Sequence, residues 1–419
     1  MLDTTSFDPL FKDHYANGKI ENILFDENPA FALLKKENRR THAGGRKWIQ
    51  PVQTSLPNQG SAVMATANAA TNNETRSDSF EVTRAQHYRI AKIDNQTIEA
   101  SATGDEDAFQ SALDEIDRTV KAEANWANFR FYRGRGGWIG RIKTGSAVNT
   151  TSLFLDDPAA VWAASKNDIL ELATTDGTSG ARRAGSVTVA GVVHAQPGGT
   201  ASFTLTGVVT AGVAAAAADD YIFLKDDFGA APAGLSDYVP DTDALAITTL
   251  FSFDRSVDSR LGGSRVDGAG MSVSELITDM VFRHVTDAQM PGKRCLFAHP
   301  YTVGTLTKQQ DVKTVFMVPA GFDGDMRSGP IGIRAYVINI AGVDVHIVMD
   351  RMCPTKRLYL INLAGWTMFH ANTRFPAFLT ERVSILKIGE STDAFECRVG
   401  GYLNNVTKTP HANVVGLVG

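Results

Sequence analysis

The stretch RGRGGWIG at residues 133–140 has the composition of a phosphate-binding loop. Such a loop places its glycines after a strand and before a helix, so that helix N–H groups point at the anion. Here the glycines follow a long predicted helix, and Gly134 is expected to cap the end of that helix. The geometry is therefore reversed, and we predict no nucleotide site. The nearby cations Arg130, Arg133 and Arg135 remain candidates for binding carboxylates of another protein surface.

Other residues that could do chemistry are scattered. The nine histidines occur singly, without an HExxH motif, and no GxSxG elbow exists. The acids at 241 and 243, and at 323 and 325, lack the rest of a calcium loop and are typical of turns. Asp156 and Asp157 precede a proline and predict a turn or a cap. We predict no metal, no cofactor and no enzymatic activity, although an active site built from distant residues stays an alternative.

Cysteine usage and charge agree with this interpretation. Cys295, Cys353 and Cys397 are far apart, which predicts buried thiols in a reducing cytoplasm. A net charge of −5 over 419 residues argues against a dedicated nucleic-acid binder. The most apolar run, 207–218, is too short to span a membrane, and the N-terminus lacks the basic residues of a signal peptide.

Two helices are well marked. Thr103 and Glu106 form a capping box that opens a helix over 103–133, roughly 45 Å long at 1.5 Å per residue. Its apolar residues form one narrow stripe: Phe109, Leu113, Ile116, Val120, Ala124, Ala127 and Phe131. A second capping box, Ser272 and Glu275, opens a helix over 272–288. Strands and a helix then alternate through 270–370, which predicts an α/β or α+β domain.

The N-terminal part predicts an arm and a hairpin. A short helix begins at Asn28-Pro29, but residues 1–45 have little core of their own. Residues 46–93 read as a long hairpin, with one strand at 47–52 and the other running from Phe80 to Ile90. The connection between these strands lacks large apolar residues, and such a long loop indicates disorder or a functional projection. We expect residues 1–45 and 55–78 to be ordered only by other subunits.

Three stretches together resemble one protein family. They are RSVDSRLGG at 255–263, ADDYIFLKDDFGAAPAGLSDYVP at 218–240 and DAFECRVGGYLNNVTKTPHANVVGL at 393–417. Taken in chain order and with their spacing, they resemble the major capsid proteins of tailed bacteriophages of the Hong Kong 97 type, and the resemblance covers 25–419. Asp219 departs from the glycine of the family pattern.

The resemblance implies an α+β capsid fold and a division of the chain. The implied parts are an N-terminal arm (1–45), an extended β-hairpin loop (46–95), a peripheral domain (96–240 and 371–419, with a spine helix at 103–133) and an axial domain (241–370). The implied function is self-assembly into hexamers and pentamers of an icosahedral head enclosing double-stranded DNA. The alternatives are an encapsulin-type compartment shell and a soluble enzyme with a β-rich insertion.

The implied partners are other copies of the chain, a separate scaffolding protein, a portal protein, a decoration protein and DNA bound non-specifically, with no membrane. The chain would be assembled in the host cytoplasm and reside in the virion. Subunit contacts are expected from one tryptophan and eight arginines, namely Arg39, Arg40, Trp48, Arg76, Arg130, Arg133, Arg135, Arg255 and Arg260. Some members link subunits through Lys–Asn isopeptide bonds. Residues 53–91 contain no lysine, so we predict an uncross-linked shell.

Overall fold

A computed structural model of the protein describes residues 28–38, 47–55, 60–69, 76–94, 106–195, 199–241, 249–256, 259–288, 294–310, 335–340, 342–371, 375–379, 386–388 and 394–419. Within them lie seven α-helices: α1 (Pro29–Leu33), α2 (Met64–Asn68), α3 (Glu106–Tyr132), α4 (Val209–Gly212), α5 (Leu235–Tyr238), α6 (Val273–Ala288) and α7 (Pro300–Gln310). Short 3₁₀ turns add Pro158–Ala163, Ser259–Gly262, Leu363–Gly365 and Pro410–Ala412. Together with the sheets described next, they confirm the predicted α+β class.

The predicted long helix is confirmed as α3, about 40 Å long over its 27 residues. Its last two turns are buried on every side, including Trp126, Phe129 and Tyr132. This differs from the predicted narrow stripe, because sheets pack around the end of the helix. Thr103, the expected cap, lies outside the described residues.

Sheet I packs against α3. Its strands are β1 (Lys35–Asn38), β4 (Ala85–Asp94), β18 (Trp366–His370), β19 (Ala377–Phe378), β20 (Leu386–Ile388) and β21 (Ala394–Thr407). The long strand β21 is central to this sheet, since it pairs antiparallel with β4, β18, β19 and β20. Strand β1 adds parallel to β18.

Two hairpins accompany this sheet, β2 (Lys47–Ser55) with β3 (Arg76–Thr83), and β11 (Thr249–Leu250) with β12 (Phe253–Asp254). The first predicted strand is confirmed as β2. The second was extended too far, because beyond Thr83 the chain leaves the hairpin and β4 pairs with β21. Alternate residues of β4, such as Ala85 and Ala91, are buried there, and this burial favours sheet I over the hairpin.

Sheet II follows α3 in the chain and is antiparallel. Its spatial order is β5 (Trp138–Arg141), β10 (Tyr221–Leu224), β7 (Ile169–Ala173), β8 (Val187–Val193), β9 (Ser202–Leu205) and β6 (Ser152–Phe154). The sequence at 150–240 is rich in Ala and Gly, with short apolar runs between Gly and Pro turns, and predicts short strands; three of these are confirmed as β8, β9 and β10.

Sheet III carries α6 and α7. Its order is β13 (Ser264–Gly268), β22 (Asn413–Val418), β17 (Arg357–Asn362), β14 (Arg294–Ala298), β16 (Val343–Met349) and β15 (Ala335–Ile340). The predicted capping box is present, since Ser272 N–H donates to Glu275 at 2.8 Å and Glu275 N–H donates to Ser272 at 3.3 Å. Helix α6 lies close to the sheet because Gly416 lacks a side chain, and an added Cβ would sit 2.4 Å from Met280 Sδ.

Two predicted groupings differ from this topology. Strand β22 was grouped with the peripheral domain, but it pairs with β13 and β17 in sheet III. Strand β18 was grouped with the axial domain, but it pairs with β1 and β21 in sheet I. Both strands are buried on most of their length, and an apolar strand joins whichever sheet can cover both of its faces. The other predicted domain boundaries stay predictions.

Residues 28–38 were predicted to be ordered only by another subunit, and this is wrong. Ala30, Phe31 and Leu34 are buried within the chain. The backbone N–H of Phe31 donates to Asn128 Oδ1 on α3 at 2.8 Å. Helix α1 and strand β1 therefore belong to the body of the subunit. The rest of the arm, 1–27 and 39–45, lies outside the described residues.

Candidate subunit-contact site

Arg130 on α3 is completely buried, and its partners belong to its own chain. Its guanidinium donates to the carbonyls of Gly137 at 2.6 Å and Trp138 at 3.1 Å, and it forms an ion pair with Asp227. Burial lowers the pKa of Arg130, and the neighbouring Asp227 offsets part of that decrease. The prediction that Arg130 reaches an adjacent subunit is wrong.

Arg133 is also internal, with its side chain only 1% exposed. It pairs with Asp157 at 2.7 Å and stacks over the rings of Phe129 and Trp138. Asp157 caps the 3₁₀ turn after it, as the sequence predicted, and accepts from Thr355 in the loop before β17. Burial would raise the pKa of Asp157, but the charge of Arg133 and the hydrogen bonds outweigh burial and leave that pKa lowered.

Asp237 on α5 is hydrogen-bonded to the third arginine of the cluster, Arg135. Its carboxylate accepts from the Arg135 backbone N–H at 2.6 Å and from Gly234 N–H at 3.2 Å. Burial raises the pKa of Asp237 to about 6 in spite of these hydrogen bonds. The half-buried Arg135 lies over the ring of Phe251, so its contact with another subunit stays a prediction.

These interactions form one unit, here called the arginine junction, made of Arg130, Arg133, Arg135, Asp157, Asp227 and Asp237. It joins the end of α3 to β5, to the loop after β10, to α5 and to the loop before β17. Sequence reasoning found the arginines but missed Asp227 and Asp237 as their partners. No sequence signal links them, because they lie about a hundred residues away and meet only in the fold.

The remaining predicted contact residues divide into three groups. Trp48 is 2% exposed and packs against Phe369, so it serves the core of its own chain. Arg255 is 1% exposed, and it donates to the carbonyl of Asp237 at 2.8 Å. Both predictions as subunit contacts are wrong. Arg39 and Arg40, and the side chains of Arg76 and Arg260, lie outside what the structure describes.

Exposed apolar surfaces are better placed for contact, and one of them, at α2, lies within the 55–78 segment that the sequence predicts to be ordered by other subunits. Val63 and Met64 at α2 are 58% and 84% exposed, and no residue of α2 is buried. Phe282 on α6 is 52% exposed. On the outer face of sheet I, Tyr88 and Tyr402 stack edge to face beside the exposed Ile90. Isolated apolar residues are ordinary on protein surfaces, but a five-residue helix without any buried residue needs another surface to stabilise it.

The three cysteines are buried and none of them forms a disulfide within the described residues, which confirms the predicted buried thiols. Within the described ranges, no cluster of three or more His, Cys, Asp or Glu side chains is arranged to hold a metal ion. No helix in this part of the chain is both long enough and apolar enough to cross a membrane.

No family model and no curated protein sequence matches the chain. Several solved structures, in contrast, are similar to the chain. The capsid asymmetric unit of cyanophage A-1(L) contains a chain with a TM-score of 0.56 and 12% identity, covering 95% of this chain and 94% of that one. The capsid of a native GTA particle gives a TM-score of 0.49 at 10% identity, covering 98% and 96%. The SrpI encapsulin of Synechococcus elongatus gives 0.43 at 8%, covering 100% and 95%. The first likeness, which extends over nearly the whole of both chains, shows that this protein has the fold of a phage capsid protein.

Proposed function

We propose that the chain is the structural major capsid protein of a tailed bacteriophage. Copies would assemble into hexamers and pentamers of an icosahedral head that encloses double-stranded DNA, with a separate scaffolding protein, a portal protein and a decoration protein as further partners. The chain would act in the virion after assembly in the host cytoplasm and would carry out no catalysis.

The observation that carries this proposal is the likeness to the cyanophage capsid chain, which extends over 95% of the residues. The sequence motifs at 218–240, 255–263 and 393–417 support the same function independently, since they were identified from residue types alone.

The surface around α2 supports assembly. The exposed Val63 and Met64 lie at the far end of a hairpin whose base, at Trp48 and Phe80, is held in the core. A short helix with an apolar surface is unstable in water, and covering it with a neighbouring copy removes that surface from solvent. We expect α2 to contact a second copy of the chain.

The test is electron microscopy and sedimentation of the purified chain, alone and with its scaffolding protein. Closed shells of uniform size are expected for the unaltered chain. The pair Val63→Asp and Met64→Asp should abolish shells while the subunit keeps its far-ultraviolet circular dichroism. The matched pair Val63→Ile and Met64→Leu keeps the apolar surface and should assemble normally. A chain that stays monomeric under all conditions would contradict the proposal.

A further inference from the structure

A groove of about 1070 Å³ lies between α3 and β4 on one wall and sheet II on the other. Strand β4 pairs with β21 along one side, and among the described residues its other side has no backbone partner. Three consecutive residues of β4 line the groove, namely His87, Tyr88 and Arg89. Because the side chains of a strand alternate between its two faces, this run indicates that the free edge of β4 borders the groove. Such an edge presents N–H and C=O groups with which an extended polypeptide can pair as an additional strand.

The opposite wall contains a shorter free edge in β8. On the β7 side, Val189 is hydrogen-bonded to Asn167 at 2.8 Å and to Asp168 at 2.9 Å. Residues 190–192 follow and line the groove, and within the described part of the chain their only strand partner is β9. The register with β9 shifts between 189 and 191, and a bulge of this kind makes an edge a poor template for a further strand. The regular edge of β4 is therefore the better place for an added strand.

Aromatic rings line the groove in two stacks. His87 stacks on Trp126, with ring centres 3.9 Å apart, and His194 packs on Trp162 at 4.2 Å. The guanidinium of Arg351 lies 4.6 Å from the centre of the Trp162 ring. Every second side chain of an added strand points to the same face, so apolar side chains at alternate positions can pack on these rings.

Two polar atoms in the wall of the groove lack hydrogen-bond partners within the described residues. Trp126 is only 6% exposed, and its Nε1 has no acceptor. The Oδ1 atom of Asn125 is buried and has no donor. Buried polar groups are almost always paired in native proteins, so these atoms favour a ligand that brings both an acceptor and a donor. A peptide group carries one of each.

The charge at the mouth of the groove favours acidic side chains. Arg89 and Arg130 line the groove, but each is paired with a carboxylate of its own chain and adds no net charge. Lys166 and Lys225 are exposed and form no ion pair among the described residues. Asp168 is the carboxylate that opposes these two lysines in the lining, so positive charge is in modest excess.

We propose that the groove binds an extended, acidic segment of a separate protein, which adds as a strand to the free edge of β4. The apolar side chains of this segment pack on the two ring stacks, and its carboxylates face Lys166 and Lys225. The inference does not depend on the proposed function, because the groove lies within one subunit and can be tested without assembly.

The test uses the full-length unassembled chain and a short fluorescein-labelled peptide that alternates glutamate with phenylalanine and valine. Fluorescence anisotropy should show saturable binding, and amide hydrogen exchange of residues 87–89 should slow in the complex, as edge groups gain hydrogen bonds. Because an added strand pairs with its neighbour through alternate N–H groups, N-methylation of one alternate set of peptide bonds should abolish binding. Methylation of the other set should leave most of the binding intact.

Variants of the groove test the side-chain contacts. Lys166→Glu with Lys225→Glu should weaken binding about tenfold, as expected when two exposed ion pairs become repulsive. The control Lys408→Glu changes an exposed lysine away from the groove and should have no effect. Trp126→Phe keeps a ring but removes the Nε1 donor and should weaken binding about fivefold.

Several outcomes would overturn the proposal. These are a peptide that does not bind, equal binding by both methylated peptides, unchanged exchange at residues 87–89, and affinity indifferent to the reversal of Lys166 and Lys225. Dimers of the chain that are lost on the same charge reversal would assign the groove to a second copy and would also overturn it. Displacement of the peptide by a labelled oligothymidine, with the same dependence on the two lysines, would assign it to nucleic acid instead.

Discussion

Arg133→Met removes one half of a buried ion pair and should destabilise the subunit itself. The side chain of Arg133 is 1% exposed, and its partner Asp157 is 16% exposed at a distance of 2.7 Å. Without Arg133, the hydrogen bonds left to Asp157 within the described residues come from the neutral groups of Ala159 and Thr355, each at 3.2 Å. Removing one partner of a buried pair costs about 3–5 kcal/mol, because the remaining charge stays desolvated.

The assay is urea unfolding of the unassembled subunit at pH 7. The matched control is Lys356→Met, which breaks the neighbouring exposed pair of Lys356 with Asp156, with side chains 69% and 46% exposed. That control should lower the free energy of unfolding by less than about 1 kcal/mol. The double variant Arg133→Met with Asp157→Asn should regain most of the loss, because no unpaired charge remains.

The loss of stability caused by Arg133→Met should depend on pH. The pKa of Asp157 is lowered in the folded state, so the pair contributes stability above the ordinary carboxyl pKa and loses it as pH falls through the folded value. The difference between Arg133→Met and the unaltered subunit should therefore be full at pH 7 and shrink below about pH 4. A variant as stable as the unaltered subunit but unable to form shells would refute this reasoning and return Arg133 to the subunit interface.

Three further predictions concern other parts of the chain. Burial lowers the pKa of His299 to about 4, so the folded state binds fewer protons than the unfolded state between pH 4 and 6.5, and stability falls on acidification across that range. His299→Asn keeps a helix cap without titrating and should flatten this slope in unfolding measured at several pH values. A slope that persists would contradict the role of this histidine. Gly234→Ala should cost about 1–3 kcal/mol in urea unfolding, because its Cβ would lie 1.9 Å from a carbonyl oxygen, whereas Gly207→Ala meets nothing within 4 Å and should be near neutral. Mature particles boiled in detergent should give one band near 45.1 kDa, because Lys47 and Lys92 pair with acids of their own chain, and multimers that survive reductant would contradict this.

The sequence predicted most elements whose signals are local. The helix opened by Ser272 and Glu275 was identified from its capping box and the strand at 47–52 from its residue pattern, and both are present. Such signals depend on residues a few positions apart, and neighbouring residues determine them wherever the chain lies in the fold.

Long-range pairing was not predictable in the same way. The segment at 85–94 mixes apolar and polar residues and contains the strand formers Tyr88, Ile90 and Ile93, which is compatible with either the hairpin or sheet I. Only the position of β21 and α3 decides between them, and β21 lies some three hundred residues further along the chain. The same reason explains why Asp227 and Asp237 were missed as partners of the arginines.

The arginines were misinterpreted because charge was taken as a sign of exposure. Lysine and arginine are mostly exposed, but a planar guanidinium with several donors can be satisfied internally, as Arg130 is by two carbonyls and one carboxylate. A cluster of arginines at a helix end is therefore compatible both with a buried position inside the subunit and with a position at its surface. The adjacent aromatic and glycine residues, Phe129, Trp138 and Gly134, were the signal for an internal site, because they provide stacking faces and close backbone approach.

In the structure, the arginine junction stabilises the subunit and α2 is placed to contact neighbouring copies, whereas the sequence predicted that the arginines make those contacts. The buried ion pairs of the arginine junction require specific geometry, so they fix how sheet II is held against α3 within each subunit. The exposed apolar residues of α2 are not constrained in that way, and apolar contacts tolerate small changes of angle between neighbouring copies. A closed shell needs both properties, since identical subunits must keep one internal shape while meeting at slightly different angles in hexamers and pentamers. On this reasoning, substitutions in the junction should change the stability of the monomer, and substitutions at α2 should change assembly alone.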